Sequence, residues 1–125
     1  MNQRTILAAA TLMGALAVCL GAFAAHALKA TLVANGRLDT FELAVRYQFY
    51  HTAALLAVGI LYEKFPRLGS AAIFFLLGTL IFSGSLYMLS LSSQTFWGAV
   101  TPFGGAALIT GWLKFAWVIY RQRTD

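Results

Sequence analysis

The sequence predicts an all-α integral membrane protein, a bundle of four transmembrane helices that forms a single domain over residues 1–125. Hydrophobic residues make up 60% of the chain and charged residues only 10%, whereas a soluble domain carries about a quarter charged residues. The apolar runs approach the roughly 20 residues that a membrane-spanning helix needs, and they lack the alternation with period two that is typical of strands. The predicted spans are residues 5–28, 47–63, 68–91 and 101–120.

The first apolar run shares features with a secretory signal peptide, because Arg4 precedes it and small residues lie near its end. Its 24 residues are long for the core of a signal peptide, so we expect it to remain as the first membrane helix. The single Cys19 lies in this run and excludes an internal disulfide. A lone cysteine in an apolar segment is expected to be a small buried side chain.

The first two helices are predicted to extend beyond the apolar zone. Asp39 is a suitable N-cap and Glu42 follows it by three residues, a pairing typical of a capping box. Asn35 and Gly36 form a helix stop, so the first helix is expected to continue up to that point. Both helices would then project by about 10 Å, roughly two turns, and form a helical hairpin at the membrane surface.

Two starting points are compatible with the fourth helix. Thr101 fits an N-cap followed by Pro102 at the first helical position, which would leave residues 96–100 as an interfacial or shallow re-entrant segment. The alternative is one helix that begins at Phe96 and is kinked near Pro102. We favour the start at Thr101.

Small residues recur every seven positions along three of the four runs, for example at Ala10, Ala17 and Ala24. A stripe of small residues lets two helix backbones approach closely, which is the main packing device within lipid. The pattern therefore predicts a tightly packed bundle. The glycines expected at helix contacts are Gly14, Gly21, Gly78, Gly84, Gly104 and Gly111.

The nine basic residues occur singly, mostly near the ends of apolar runs. This distribution favours a role in membrane topology over binding to nucleic acid. With four spans, six basic residues fall on the side of the termini and three on the other side, so both termini are expected to be cytoplasmic. The first set is Arg4, Lys64, Arg67, Lys114, Arg121 and Arg123, and the second is Lys29, Arg37 and Arg46.

Polar side chains within lipid are costly, so each is a candidate functional residue. A short turn joins the first two helices, which should make them antiparallel neighbours. If the two helices are straight and antiparallel about this turn, His26 and Tyr47 would lie at nearly the same depth in the membrane. His51 would lie one turn deeper, on the same helical face as Tyr47. We expect these three side chains to form an outer polar cluster with Ser83 or Tyr87, either a functional site or a packing lock.

Two histidines on adjacent helices are the pattern that axial ligands of a b-type haem would show, whereas protein metal sites usually take three or four ligands. Arg46, the candidate partner for a haem propionate, lies about 140° from His51 around the helix axis. The sequence therefore predicts no cofactor and no metal site. Glu42 and Arg46 are four residues apart and are expected to form a local ion pair.

No acidic residue lies between Leu43 and Tyr62 or between Leu68 and Tyr120. A proton relay needs a chain of ionisable groups across the bilayer, and the sequence does not supply one. No serine in the spans has both a histidine and an acidic residue as companions. We therefore predict that the chain has no catalytic residues and is not an enzyme.

Four ordered segments together resemble the YgdD, or transmembrane protein 256, family of small four-helix membrane proteins. The segments are residues 21–28, 45–51, 82–87 and 101–105, the last followed by Gly111 and Trp112. Ala24 stands where family members often have glycine. The resemblance implies an integral membrane protein of uncharacterised function, and it supplies no reaction, cofactor or catalytic residue.

These observations predict a protein of the bacterial inner membrane that acts as a non-enzymatic scaffold or accessory subunit. Its expected partners are the lipid bilayer and either a larger membrane complex or further copies of itself, and no nucleic acid is expected. The alternative is a bundle that binds a small molecule, a lipid or a cofactor such as haem through the outer polar cluster.

Overall fold

A computed structural model describes residues 1–121, and every regular element in that range is helical. This confirms the predicted all-α class. A short 3₁₀ turn, Pro66–Leu68, leads directly into the fourth helix. The helices are α1 (Gln3–Ala25), α2 (Lys29–Ala34), α3 (Leu38–Leu61), α4 (Gly69–Ser92) and α5 (Phe96–Arg121).

The four long helices form a row in chain order. α1 packs against α3, α3 against α4, and α4 against α5, and the short connections make successive helices antiparallel. The Gln3 side chain at the start of α1 donates a hydrogen bond to the carbonyl of Gly59 near the end of α3 (3.0 Å), as an antiparallel pair requires. α3 and α4 are therefore the inner helices of the row, and α1 and α5 lie at its edges.

Within residues 1–121, three segments are long and apolar enough to cross a membrane: α1, the 3₁₀ turn together with α4, and α5. α3 has a similar length but carries Arg46, Gln48 and His51 near its middle. The structure thus identifies three candidate membrane spans where the sequence predicted four.

The core of the row follows the small-residue stripe of α1, since Ala10, Ala17 and Ala24 are all buried. This confirms the predicted seven-residue packing pattern for α1. Cys19 is exposed instead of buried, so that prediction was wrong. Cys19 follows the buried Ala17 by two residues, which is a rotation of about 200° around the helix axis. This rotation turns Cys19 away from α3.

The closest helix contact lies between α4 and α5, where three predicted glycines are used. A Cβ added at Gly104 would overlap the backbone of Phe82. At Gly78 it would lie 2.7 Å from Leu108 Cδ2, which is too close for a real contact. Gly111 is similarly restricted, by an aromatic side chain of α4.

The other three predicted glycines make looser contacts or none. A Cβ added at Gly14 or Gly21 would be in ordinary contact with a side chain of α3, whereas at Gly84 it would meet nothing. The predicted packing role of Gly84 was therefore wrong, because this residue faces open space. Gly59 was not predicted as a contact residue, yet a Cβ there would lie 2.5 Å from Leu7 Cδ2 of α1.

The predicted surface hairpin is only partly formed. α1 ends at Ala25, and His26 breaks the helix with φ −127° and ψ −88°. The break lets the short helix α2 fold back, so that Leu32 is fully buried against Ala24 and the start of α3. Gly36 has φ +63°, which confirms the predicted stop before α3.

The predicted capping box at the start of α3 was wrong. α3 begins at Leu38 with Arg37 at the N-cap, and no side chain caps it. The amide of Phe41 donates to the Arg37 carbonyl (3.0 Å), so the helical hydrogen bonds already begin before Asp39. Asp39 therefore lies inside the first turn, where its charge faces the positive end of the helix.

α5 is a single helix that begins at Phe96 and continues through Pro102. The favoured start at Thr101 was wrong, and residues 96–100 are helical instead of re-entrant. The Thr101 hydroxyl donates to the Trp97 carbonyl (3.2 Å) and lies 2.6 Å from the Ser85 hydroxyl of α4. The hydroxyl thus links two helices and is not available as an N-cap.

Candidate functional site

Polar side chains gather at the middle of the row, on the inner helices α3 and α4 and at their contacts with α1 and α5. In an apolar surrounding, each buried polar group needs a hydrogen-bond partner. The buried polar residues are Gln48, His51 and Thr52 on α3, and Thr79, Ser83, Ser85 and Ser90 on α4.

Gln48 connects three helices through one chain of hydrogen bonds, which we call the glutamine relay. The Tyr87 hydroxyl of α4 donates to Gln48 Oε1 (2.7 Å), and Gln48 Nε2 donates to the Met13 carbonyl of α1 (2.9 Å). Gln48 is 6% exposed, so both ends of its amide are satisfied away from solvent. The relay ties α4, α3 and α1 together at one depth.

His51 has both ring nitrogens engaged. Nδ1 lies 2.7 Å from the Tyr47 carbonyl, and Nε2 lies 3.1 Å from Nε1 of Trp112 on α5. A carbonyl only accepts and an indole N–H only donates. His51 must therefore be neutral in this arrangement, with its proton on Nδ1 and its lone pair on Nε2 directed at Trp112.

Aromatic rings surround His51 and line a cavity of about 550 Å³ between α3 and α5, which we call the histidine cavity. The His51 ring lies 5.8 Å from Phe75 and 6.0 Å from Trp112, measured between ring centres. The Tyr47 ring stacks on Phe82 at 4.7 Å. The walls of the cavity are therefore apolar, with His51 at one side.

The structure separates the predicted outer polar cluster into three places. Tyr47 and His51 share the histidine cavity, as their spacing of four residues predicts. Tyr87 joins the glutamine relay, and Ser83 donates to the Ala44 carbonyl (2.8 Å) on the side of α1. His26 is exposed at the end of α1, so its predicted membership was wrong.

The register between α1 and α3 explains why His26 is absent from the cluster. Gly14 faces Thr52, and Gly21 faces Val45. Extending this antiparallel register places His26 level with residue 40, about 10 Å from the depth of Tyr47 at 1.5 Å per residue. The symmetric hairpin that the sequence suggested is lost because the chain bends at His26.

The two histidines do not form the ligand pair that haem would need. On the same register His26 and His51 differ in depth by about 16 Å, and the lone pair of His51 already accepts from Trp112. Within residues 1–121, no group of three His, Cys, Asp or Glu side chains is arranged to hold a metal ion.

The predicted ion pair between Glu42 and Arg46 is not formed in the described part of the chain. Both side chains are exposed, and they line a shallow surface depression beside Gly21. Solvent-exposed ion pairs of this kind are worth little because water screens the charges and both side chains lose freedom.

A second cavity, about 380 Å³, opens between α1 and α4 with α3 at its floor. We call it the docking groove. Within residues 1–121, the Thr79 hydroxyl is buried and has no hydrogen-bond partner, although Thr79 lines this groove. The lining residues are Met13, Leu16, Leu20, Gln48, Leu76, Leu77, Thr79, Leu80, Ser83, Gly84 and Tyr87.

Sequence reasoning missed the two residues that connect the helices, Gln48 and Trp112. Gln48 follows Tyr47 directly, so it lies 100° away and faces α1 and α4 instead of α5. A primary amide inside an apolar helix is itself a signal, because it must find both a donor and an acceptor nearby. Trp112 gave no such signal, since an aromatic residue in a span is ordinary.

Comparison with known proteins supports the membrane assignment. A family model described as "Protein of unknown function (DUF423)" matches residues 20–105. The chain is 37% identical over 114 residues to the UPF0382 inner membrane protein YgdD of Escherichia coli (strain K12), covering 90% of this chain and 86% of that protein. No solved structure matches.

Two further relatives come from other bacteria. A UPF0382 membrane protein of Haemophilus influenzae is 37% identical over 116 residues, covering 90% of this chain and 91% of the relative. The UPF0382 membrane protein YwdK of Bacillus subtilis is 40% identical over 101 residues, covering 78% of this chain and 81% of the relative.

Proposed function

The chain belongs to the DUF423 family and is similar to the UPF0382 membrane proteins. We propose that it is an accessory subunit. It packs, through the docking groove, against a transmembrane helix of a larger membrane assembly. The similarity to named membrane proteins and the three apolar helices establish an integral membrane protein. The groove supplies the argument for a partner inside the membrane.

All four long helices cross the bilayer in this proposal, including α3. Its polar residues Gln48, His51 and Thr52 are buried between neighbouring helices and are hydrogen-bonded there. Polar side chains that face the interior of a bundle are compatible with a membrane span. The 24 residues of α3 equal those of α4 in number.

Both termini then lie on one side, in the cytoplasm. The Tyr62 hydroxyl donates to the Met1 carbonyl (2.8 Å), which holds the N-terminus beside the α3–α4 connection. Six basic residues on that side against three on the other favour the cytoplasm. Arg123 belongs to the six but lies outside the described residues.

The single observation that carries the docking proposal is the Thr79 hydroxyl. Thr79 is 6% exposed and its hydroxyl has no partner within residues 1–121, while other buried hydroxyls, including those of Thr52 and Ser83, are hydrogen-bonded. An unsatisfied hydroxyl in an apolar surrounding costs about 1–3 kcal/mol. Thr79 lines the groove but its hydroxyl oxygen is covered, so a rotation of the side chain about χ1 would be needed to bring the hydroxyl to a side chain or carbonyl of a partner helix that could satisfy it.

The shape of the groove suits a helix. Its α4 wall runs from Leu76 to Tyr87, about 16 Å at 1.5 Å per residue, or three helical turns. Gly84 faces open space on this wall, so a partner backbone can approach closely. Small residues and hydroxyls are the features that drive association of helices in lipid.

The polar side chains that could take part in catalysis or ligand binding already form hydrogen bonds that hold the helices together. His51, Gln48 and Tyr87 each form a hydrogen bond to another helix, which supports a structural role for them. A scaffold needs such a rigid polar layer so that its outer surface keeps one shape.

Site-directed photo-crosslinking in native membranes tests the proposal. A photoreactive residue replaces Leu80, which is 70% exposed beside the groove, and a matched control replaces Leu113, which is 66% exposed on α5. We expect a discrete protein adduct at position 80 that is absent at position 113. Thr79→Val, which removes only the hydroxyl, and Gly84→Leu, which fills the groove, should both weaken the adduct.

Three results would contradict the proposal. Adducts only with lipid at position 80 would leave the groove without a protein partner. Equal yields of one protein at both positions would indicate collision and not docking. An adduct whose mass is twice that of the chain would identify self-association in place of an accessory role.

The histidine cavity supports a second candidate function, the binding of a small apolar molecule. The cavity has aromatic walls, and Tyr50 beside it is 55% exposed. A ligand that enters it would contact Trp112 and change the fluorescence of that side chain. Native mass spectrometry of the purified protein, with Trp112→Phe as the fluorescence control, tests for such a ligand.

A further inference from the structure

A cavity of about 420 Å³ lies at the end of the row where α4 begins and α5 ends. We call it the basic cavity. It shares no residue with the docking groove or the histidine cavity. Its lining residues are Pro66, Arg67, Ser70, Lys114, Trp117 and Val118.

Positive charge converges on this cavity from separate elements. Arg67 comes from the turn before α4, and Lys114 comes from α5. The Arg121 guanidinium lies over the Trp117 ring at 5.4 Å from its centre, which adds a third positive charge beside the cavity. No acidic side chain of residues 1–121 lines it.

The cavity lies where a membrane surface is expected. It is formed by the ends of two apolar helices, and Trp117 is 50% exposed, as is typical of aromatic residues at the boundary between lipid and water. The Lys114 ammonium lies 5.6 Å from the centre of the Phe74 ring. Its aliphatic stem can thus remain in the apolar layer while the charge approaches the headgroup region.

We propose that the basic cavity binds the phosphate of an anionic phospholipid headgroup. A guanidinium such as that of Arg67 can bind a phosphate through two parallel hydrogen bonds, and Lys114 adds a compact charge from the opposite helix. Basic pockets between membrane helices are the expected sites for acidic lipid headgroups. The exposed apolar surface of α5 next to the cavity would hold the acyl chains of the same molecule.

Lipid retention by the full-length protein tests this site. The protein is exchanged in detergent with equal amounts of phosphatidylglycerol and phosphatidylcholine, and native mass spectrometry counts the retained lipids. We expect phosphatidylglycerol to be preferred. The double variant Arg67→Gln/Lys114→Gln should lower that preference by roughly 30-fold, since each basic residue contributes about fivefold near an anionic surface.

A matched control removes the same charge at the other end of the molecule. Lys29→Gln/Arg37→Gln changes two basic residues beside α2, of which Lys29 is exposed and Arg37 is half-buried, and should leave the preference for phosphatidylglycerol unchanged. Inorganic phosphate is then added at about 10 mM, roughly a hundredfold excess over the protein. Because inorganic phosphate lacks acyl chains, it should compete poorly for a lipid site but fully for a site that binds free anions.

Several outcomes would overturn the proposal. Equal retention of the two lipids by the unmodified protein would do so, as would an equal loss in the control variant. Complete displacement of phosphatidylglycerol by inorganic phosphate would identify a soluble-anion site instead. If the double variant fails to fold, Lys114→Gln alone and a salt titration of the unmodified protein provide the same test, because screening must weaken a phosphate contact.

Discussion

Nε1 of Trp112 donates a hydrogen bond to Nε2 of His51 over 3.1 Å, and this bond joins α5 to α3. Both helices pack against α4, which lies between them, so the bond crosses the cavity between two helices that are not immediate neighbours in the row. Because Nδ1 of His51 donates to the Tyr47 carbonyl, the indole also selects the tautomer of the imidazole. The orientation of α5 therefore depends on this pair of side chains as well as on its contacts with α4 and with the 3₁₀ turn Pro66–Leu68.

Trp112→Phe should destabilise the protein by about 1–3 kcal/mol, because it leaves the Nε2 acceptor of His51 buried without a partner. His51 is 5% exposed, so water does not readily replace the indole. Unfolding in detergent micelles, followed by circular dichroism, measures the effect. The control Trp117→Phe removes an indole of similar exposure, 50% against 46% for Trp112, that does not bond to His51, and it should cost much less. Equal losses would show that His51 does not need this bond.

The glutamine relay predicts energetic coupling between Gln48 and Tyr87. Gln48→Leu removes the acceptor of the Tyr87 hydroxyl and the donor to the Met13 carbonyl, whereas Tyr87→Phe removes one hydrogen bond only. A double-mutant cycle should give a coupling of about 0.6 kcal/mol, with about 1.7 kcal/mol as an upper value for membrane proteins. Strict additivity of the two losses, measured by the same unfolding assay, would contradict the relay.

The sequence predicted the helical class and the buried stripe of α1 because both depend on local periodicity. It did not predict the bend at His26, since that bend arises from tertiary packing: Leu32 of α2 becomes buried against the start of α3. The depth assigned to His26 depended on a straight hairpin and was wrong for the same reason. Tyr47 and His51 were placed together correctly because they lie one turn apart on one helix.

The partners of the polar residues were harder to predict, because each bond crosses between helices far apart in sequence. Gln48 and Met13 are separated by 35 residues, and His51 and Trp112 by 61. These pairs depend on the register in which the helices pack against one another. That register depends on which glycines make close contacts, and Gly59 and Gly84 show that a small residue alone does not reveal its role.

Gly104→Ala and Gly84→Ala should differ strongly although they make the same chemical change. A Cβ at Gly104 would overlap the backbone of Phe82, whereas at Gly84 it would meet nothing. We expect the first substitution to cost about 1–3 kcal/mol by forcing α4 and α5 apart and the second to be nearly neutral. Thermal unfolding of the two variants in the same detergent compares them, and similar midpoints would show that α4 and α5 do not approach as described.

Asn2→Ala should destabilise the protein more than Asp39→Ala. Asn2 Oδ1 accepts from the Thr5 amide at the start of α1 (2.9 Å), and loss of such a cap costs about 1 kcal/mol. Asp39 caps nothing in α3, so its loss removes only a favourable charge near the helix start, about 0.3–1 kcal/mol at most. A larger effect for Asp39→Ala would restore the capping box that the sequence suggested.

Membrane topology distinguishes three spans from four. If α3 crosses the bilayer with the other long helices, reporters fused at Gly36 and at Lys64 must lie on opposite sides, and the C-terminus must share the side of Lys64. If α3 lies within one leaflet, Gly36 and Lys64 share a side and the two termini lie on opposite sides. Paired phosphatase and fluorescent-protein fusions at these positions and after the last residue measure each location. We expect cytoplasmic reporters at Lys64 and at the C-terminus and an external one at Gly36, because the buried hydrogen bonds of Gln48 and His51 let α3 cross the lipid and the majority of basic residues remain inside.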